Sequence, residues 1–393
     1  MREQKTQTSP VLMKLAVAAS GVLAIAAGGL FYYVSVNKPQ NHDEELIKIE
    51  VGAKACNPMN LTLPSGNHSF EIHNLSDRPV EWEILDGVMV VEERENIIPR
   101  MKAILRAQLM PGDYQITCGL LSNPRGSLTV TPSEHSANAN AAKPETRAFI
   151  GILSEYKVFL IMQANSMLRA ADTLQKAISQ GDLETARLGY VQARAAYNRT
   201  EMIASRFADL SAKIDPAAAY LENREQDKAF TGFPRIEYGL WDQNSTAGLD
   251  NFAKQLIDDL NGLKDRLKSV KLTPDLVLRH ASSFLQQQAD GPILNGTDSY
   301  AGLDATEFAA QAESIEKIFK LFEPLSINPA GAQTAALKAA LNEYSTEIAA
   351  VSAGNTSVDY KNIDPDTRRK LADKATKLAE TIDHLSAALG LNE

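Results

Sequence analysis

The hydrophobic period of this chain changes once, and the change divides what it can fold into. From Leu46 to Thr131 the apolar residues alternate with a period of two. The runs are LIKIEV, MNLTL, HSFEIHN, VEWEIL, AILRAQL, DYQITC and GSLTV. Turn signals split them at Pro64-Ser65-Gly66, Ser76-Asp77, Asp86-Gly87 and Pro111-Gly112-Asp113. Alternation over short runs bounded by such residues predicts strands, and about seven at this spacing predict a β-sandwich. Residues 133–145, SEHSANANAAKPE, carry no period and are small and polar, which marks a linker. From residue 146 the period is that of a helix. Phe149, Leu153, Tyr156, Leu160, Ala164, Met167, Ala171, Leu174 and Ile178 step by threes and fours along one face. Gly181 stops that helix and Asp182 caps the next, expected to run to about Arg206. Further helices are predicted near 216–228, 234–242, 247–269, 274–288, 304–323, 332–352 and 366–389, so the last two-thirds reads as an all-α bundle.

The residues before the sandwich set the compartment. Leu15 to Val36 is an uncharged apolar run of about 22 residues, roughly 33 Å as a helix, which is enough to span a bilayer. Arg2, Lys5 and Lys14 precede it, and Asp43, Glu44 and Glu45 follow it. That polarity puts the N-terminus in the cytoplasm and everything after Lys38 outside. A cleaved signal peptide with Ala24-Ile25-Ala26 at its cut site is the competing reading. Either one places the folded part in an oxidising, extracytoplasmic space. The expected organisation is therefore multidomain: residues 1–38 as cytoplasmic tip and transmembrane anchor or signal segment, 46–132 as the β-sandwich, 133–145 as linker and 146–391 as the helical domain. A net charge of −9 with no basic stripe excludes a nucleic-acid partner and suits a cationic ligand.

The chemistry-bearing side chains crowd into the β region. Both cysteines, Cys56 and Cys118, lie there, in loops or at strand ends. A disulfide and a thiolate metal site both remain open for them. A blue-copper centre needs histidines beside the cysteine, and the loop after Cys118 runs Gly119-Leu120-Leu121-Ser122 with none. Glu81 and Glu83 flank Trp82 and share one strand face. Glu92, Glu93 and Glu95 form a second acidic group. Exposed glutamates at such spacing are ordinarily just solvated, and that is the expectation for Glu83, Glu92, Glu93 and Glu95. Met59 and Met89 are expected in the core. In the helical part Glu201 follows Tyr190, Arg194 and Tyr197 on one helix face. Thr231–Trp241, TGFPRIEYGLW, sets Pro234 in a first turn and Glu237 in the next.

The segments KACNPMNLTL, VEWEILDGVMVVEERENIIP and TCGLLSNPRG resemble the cupredoxin-like domain of the EfeO iron-uptake family. AYNRTEMIASRFADLSAKID and FTGFPRIEYGLW look like the imelysin-like domain that follows it there. The likeness covers about residues 46–390 in order. It implies a cupredoxin-like β-sandwich followed by an all-α imelysin-like bundle, and a periplasmic component of a ferrous-iron uptake system. It implies as partners an inner-membrane iron permease and a periplasmic haem peroxidase. It implies an iron or copper ion as ligand, with Cys56, Glu81 and Cys118 as metal residues of the β domain and Glu201, Asp209 and Glu237 as those of the helical domain.

The sequence departs from the family in the helices. The family's Gly-x-His-x-x-Glu is here Gly232-Phe233-Pro234-Arg235-Ile236-Glu237, with proline at the histidine. Its Tyr-Glu-Arg-Ile-Glu-Pro is Tyr197-Asn198-Arg199-Thr200-Glu201-Met202, and its Asp-Leu-Asp is Asp209-Leu210-Ser211. Near Tyr300, where the family tends to carry a histidine, stand Ala301-Gly302-Leu303. Proline offers no ligand atom, so weak or no divalent-ion binding is expected of the helical domain, and no peptidase activity. The alternative to a metal-delivery protein is a metal-free docking component with a Cys56–Cys118 disulfide.

Overall fold

The computed structural model describes residues 46–133, 146–297, 299–353 and 360–391. The anchor or signal segment expected within residues 1–38 and the linker from residue 134 to 145 lie outside them. Among the described residues no helix is long and apolar enough to cross a membrane.

Among the described residues nine strands form two sheets. They are β1 (Leu46–Val51), β2 (Cys56–Asn57), β3 (Asn60–Pro64), β4 (Gly66–Asn74), β5 (Val80–Asp86), β6 (Met89–Ile97), β7 (Lys102–Leu109), β8 (Gly112–Ile116) and β9 (Gly126–Thr131). One sheet has the order β2-β1-β4-β7 and the other β3-β9-β8-β5-β6. The pairs β1–β4 and β3–β9 are parallel and the remaining pairs antiparallel. Alternation builds the core as expected: Ile49, Val51, Phe70, Ile72, Val80, Trp82, Ile84, Leu128 and Val130 all point between the sheets. Trp82 packs on Phe70 with ring centroids 5.1 Å apart.

Two strands are additional to those expected. β2 is only two residues long. β6 carries Glu92, Glu93 and Glu95, and its period is hidden because helices cover part of it. It is an edge strand of its sheet, hydrogen-bonded to β5 with two register shifts.

The helical part contains α1 (Ile150–Gln180), α2 (Leu183–Asn198), α3 (Glu201–Ala204), α4 (Ala208–Ile214), α5 (Gly232–Glu237), α6 (Asp250–Ser269), α7 (Pro274–Asp290), α8 (Pro292–Asn295), α9 (Asp304–Ser326), α10 (Gly331–Ala353) and α11 (Pro365–Ala388). Gly181 closes α1 with a left-handed φ of 73°, and the Asp182 side chain accepts from Thr185 N to start α2. Two expectations need correcting. The second helix does not reach Arg206. It stops at Asn198, where the Thr200 hydroxyl donates to Tyr197 O and competes with the ladder. The helix expected over 216–228 is instead two short 3-10 turns, Ala218–Tyr220 and Arg224–Gln226. Arg224 sits at φ 50°, and the Asp227 carboxylate accepts from Ala229 N and Asn223 N, so local side-chain bonds replace a helix.

The two parts of the chain are not separate beads: from Leu46 onward the described residues pack as one compact unit. The edge of β6 continues into the helical part. Val90 N donates to Arg206 O (2.7 Å) and Ala208 N to Val88 O (3.1 Å). Arg94 pairs with Asp290 at 2.5 Å, Asn96 N donates to the Tyr220 hydroxyl at 2.8 Å, and Arg78 donates to Leu221 O at 3.2 Å. These bonds also remove an exposed sheet edge.

Gly232 opens α5 at φ 63°, and a Cβ there would lie 2.1 Å from Ile214 O. The close approach sets the helix that carries Glu237 against the end of α4. Gly232→Ala is expected to destabilise the protein by about 2 kcal/mol or more, since both backbone strain and overlap oppose it. Urea denaturation followed by circular dichroism checks this, and a midpoint equal to wild type contradicts it.

Candidate functional site

Strand geometry decides where the acidic residues point. On β5, Trp82 faces the core, so Glu81 and Glu83 face the opposite side of the sheet. Glu93, directly across from Glu83, shares that face, and Glu95 follows it two residues on. The helical part covers this face. Between them lies a cavity of about 500 Å³. Glu81, Glu83, Glu93 and Glu95 form its β wall. Glu201, Asp209, Asp215, Glu237 and Glu307 come from the helical side, with Arg125 and Arg194 as the cationic lining among the described residues.

Its electrostatics are unbalanced. On the helical side the carboxylates are mostly matched. Arg194 binds Asp215 at 2.6 Å and Glu307 at 3.0 Å, and its guanidinium lies over the rings of Tyr197 and Phe233. Asp209 accepts from Arg266 at 2.9 Å. Glu237 accepts from the Ser299 hydroxyl at 2.7 Å and from Ala301 N at 3.3 Å. Glu201 accepts from Gln311 Nε2 at 2.9 Å. The β wall differs. None of the side chains of Glu81, Glu83, Glu93 and Glu95 has a hydrogen-bond or ion-pair partner among the described residues.

The carboxyl groups respond as isolated acids in a poorly hydrated place. Burial, then neighbouring Glu83 and Glu95, pushes Glu81 well above the usual range, and burial with Glu95 does the same to Glu93. Burial raises Glu83 to about 7 against the pull of Arg125, and Glu95 to about 7 with Glu83 and Asp215 adding to it. Burial also raises Glu237 to about 7, and it raises Glu201 to about 8 despite Arg194. Two unit charges about 5 Å apart repel by roughly 3 kcal/mol at an effective dielectric of 20. The Glu83–Glu93 pair therefore favours either a proton or a cation between its members.

The cysteines are elsewhere. Cys56 and Cys118 are joined in a disulfide, with Cα atoms 5.2 Å apart. Both are buried in the sandwich core with Trp82, on the other face of the sheet from Glu81. The expected convergence of Cys56, Glu81 and Cys118 is thus corrected: strand alternation separates them, and bonded sulfurs are not thiolates. Cys118 Sγ lies 3.8 Å from Met59 Sδ, and His68 is turned to Pro64 O at 2.7 Å. This donor set does not fit a cupredoxin-type copper centre. Of the other expected ligands, Glu81, Glu201, Asp209 and Glu237 all border the one cavity. Pro234 borders it too, at the position of the family's histidine. Among the described residues no three His, Cys, Asp or Glu side chains form a ready-made ligand cluster.

The expectation that Glu83, Glu92, Glu93 and Glu95 are merely solvated is also corrected. Glu83 and Glu92 are 8% and 5% exposed, and Glu93 and Glu95 open onto the cavity. Asp215 and Glu307 were not distinguishable from surface acids in the sequence. The only signal for Glu307 was its place in the first turn of α9.

A β-sandwich joined to a helical bundle across an acidic cavity defines a class, a cupredoxin-like domain followed by an imelysin domain. Residues 23–130 match the Cupredoxin-like domain family and residues 152–385 match Imelysin. The iron uptake system component EfeO of Yersinia pestis is 35% identical over 353 residues, covering 90% of this chain and 93% of that protein. EfeO of Escherichia coli (strain K12) is 34% identical over 351 residues, covering 89% and 93%. The crystal structure of an imelysin-like protein from Psychrobacter arcticum 273-4 superposes with a TM-score of 0.52 at 15% identity, covering 63% of this chain and 98% of that one, a likeness of fold. The chain belongs to the EfeO family.

The raised carboxyls set a pH dependence of stability. A buried acid whose folded pKa exceeds its unfolded value of 4.5 binds its proton more tightly when folded. The stability it contributes is complete below about pH 4.5 and is lost as pH rises through about 7. Glu83→Gln is expected to raise stability at pH 8 by roughly 1–3 kcal/mol and to leave it nearly unchanged at pH 4. Denaturant titrations of wild type and variant at the two pH values check the difference. An equal effect at both would contradict it.

Proposed function

We propose that this chain is the cation-binding component of an extracytoplasmic iron-uptake system. It takes up the iron ion in the cavity between sandwich and bundle and delivers it to a membrane permease. The observation that carries the proposal is the β wall: four carboxylates without partners among the described residues, on two paired strands, facing an acidic cavity. A di- or trivalent cation removes their mutual repulsion, and carboxylate oxygens suit hard ions. Glu81, Glu83, Glu93 and Glu95 hold the cargo, with Glu201, Asp209 and Glu237 facing it from the helices. The relatives' description as iron uptake system components supports the cargo's identity. The Cys56–Cys118 disulfide and the apolar N-terminal segment support a periplasmic location, tethered or free. A haem peroxidase of the same system is the second partner that the family resemblance implies. The chain is not a peptidase on this view, because Pro234 supplies no ligand beside Glu237.

The disulfide favours one rival, a metal-free docking protein. Its function would rest on surfaces alone, and the β wall would stay protonated. Equilibrium dialysis of the purified protein with ferrous iron under anaerobic conditions separates the two. We expect saturable binding that weakens as pH falls from 8 to 5, because protons compete for the same oxygens. Glu81→Gln with Glu93→Gln should weaken it at least tenfold. Cys56→Ser with Cys118→Ser should leave the affinity unchanged while lowering stability by about 2–4 kcal/mol, since a cross-link spanning 62 residues is lost. No saturable binding at any of these pH values would establish the docking reading instead.

A further inference from the structure

Four loops meet at one end of the sandwich. They are the β1–β2 turn (residues 52–55), the β4–β5 loop (75–79), the β6–β7 turn (98–101) and the loop 117–125 that leads into β9. Hydrogen bonds tie them together. Leu75 N donates to Val51 O at 2.8 Å, and Asn123 Nδ2 to Ala53 O at 3.2 Å. Asn74 N donates to Met101 O, and Arg100 N to Asn74 O. The buried Asn74 side chain donates to Arg78 O and Ile97 O and accepts from Ser76. The Cys56–Cys118 disulfide clamps two of the loops. On this firm base Leu75, Ile98, Met101 and Leu121 are 52%, 42%, 54% and 41% exposed. Single apolar groups on a surface need no explanation, but four on adjoining loops mark a contact surface.

The charge of this end is opposite to that of the whole protein. The four loops carry Lys54, Arg78, Arg100 and Arg125 with a single acid, Asp77, in a chain of net charge −9. Arg78 reaches Leu221 O and Arg125 reaches Gln115, so Lys54 and Arg100 are the outward cations of these loops. Arg100 holds an unfavourable backbone. Met101 N donates to Ile98 O at 3.1 Å, closing a turn with Pro99 second and Arg100 third, and Arg100 sits at φ 66°. Glycine ordinarily takes that place. Arginine there sets a cation between Ile98 and Met101.

From this we infer that this end of the sandwich docks on a bilayer surface containing anionic lipid. Basic and apolar side chains interleaved on loop tips meet headgroup phosphates and the acyl boundary together. The centre of a protein interface, by contrast, is depleted of charged residues. The chain ahead of β1 allows the approach. Leu46 begins the six-residue β1 at the end away from these loops, about 20 Å off. Nine residues separate it from the apolar run ending at Val36, and extended they reach roughly 30 Å. Docking does not depend on what the cavity binds. It does set the cavity beside the bilayer, because Pro79, Leu121 and Arg125 of these loops line it.

The test uses the chain from residue 39 onward, so that the apolar run cannot bind lipid by itself; the described residues from Leu46 form one compact unit. Vesicles of phosphatidylglycerol and phosphatidylcholine should capture it on sedimentation. Capture should weaken as salt rises and be at least tenfold weaker on phosphatidylcholine alone. Leu75→Ser with Met101→Ser should weaken it at least tenfold. Arg100→Gly should weaken it about fivefold while thermal stability stays equal or rises, because glycine relieves the left-handed residue. An environment-sensitive dye on Leu75→Cys should shift to the blue on the anionic vesicles. The same dye on Leu188→Cys, exposed on α2, should not. No capture by anionic vesicles overturns the proposal and leaves the apolar end to a protein partner. Capture unchanged in both variants, or a shift at residue 188 and none at 75, overturns it as well. Leu75, Arg100 and Met101 are outside the cavity lining, so ferrous-iron binding by these variants should match wild type, and a failure of either reading is told apart from the other.

Discussion

The structure depends on covering one face of one sheet. β5 is buried on both sides: Trp82 and Ile84 in the sandwich core, Glu81 and Glu83 under the helices. A sandwich on its own would leave those glutamates in water, where they would be ordinary charges. The helical part takes the water away, and each carboxyl then becomes an acid whose charged form is disfavoured. The same contact anchors the helices. The β6 edge bonds to the backbone at Arg206 and Ala208, and Arg94 reaches Asp290. One interface thus orients both parts and creates the field inside the cavity.

That field is uneven, and the unevenness gives the cavity a direction. Arg194 settles the helical side by pairing with Asp215 and Glu307. A buried guanidinium without carboxylates would be far more costly than one with two, so this group is held fixed. Among the described residues no comparably paired cation faces the β wall; Arg125 is nearby and bonds Gln115 at 3.0 Å. The α-side charges are paired and those on the β side are not, so the strands form the less compensated wall of the cavity. The disulfide has a different task. It ties the strand β2 to the segment leading out of β8, under the sheet that carries the glutamates.

Much of this could be followed residue by residue before any coordinates. The alternation in LIKIEV, VEWEIL and GSLTV specifies strands and their inward faces, because a side-chain period of two admits no other regular element. The long step pattern from Phe149 to Ile178 specifies α1 for the same kind of reason, and Gly181 and Asp182 end and restart the helices by local backbone chemistry. β6 was not legible. MVVEERENI has neither period, since its two faces meet different neighbours and two register shifts interrupt its pairing with β5. The residues 216–228 misled in the other direction: Pro216 suggested a helix start, but the Asp227 carboxylate ties the loop to itself.

The amino-acid order alone determined most of the element types, the faces of the strands it revealed, the change from sheet to helix and the family. These follow from periodicity and from local bonding, which act between residues close in the chain. Only the tertiary structure decided that Glu81 and the cysteines part company, and that Glu95, Glu201, Asp215 and Glu237 meet. Alternation says which side of a sheet a residue takes, but not what lies over that side. That cover comes from helices more than a hundred residues away, and burial, the largest cause of every raised carboxyl pKa in the cavity, is a property of the packed pair.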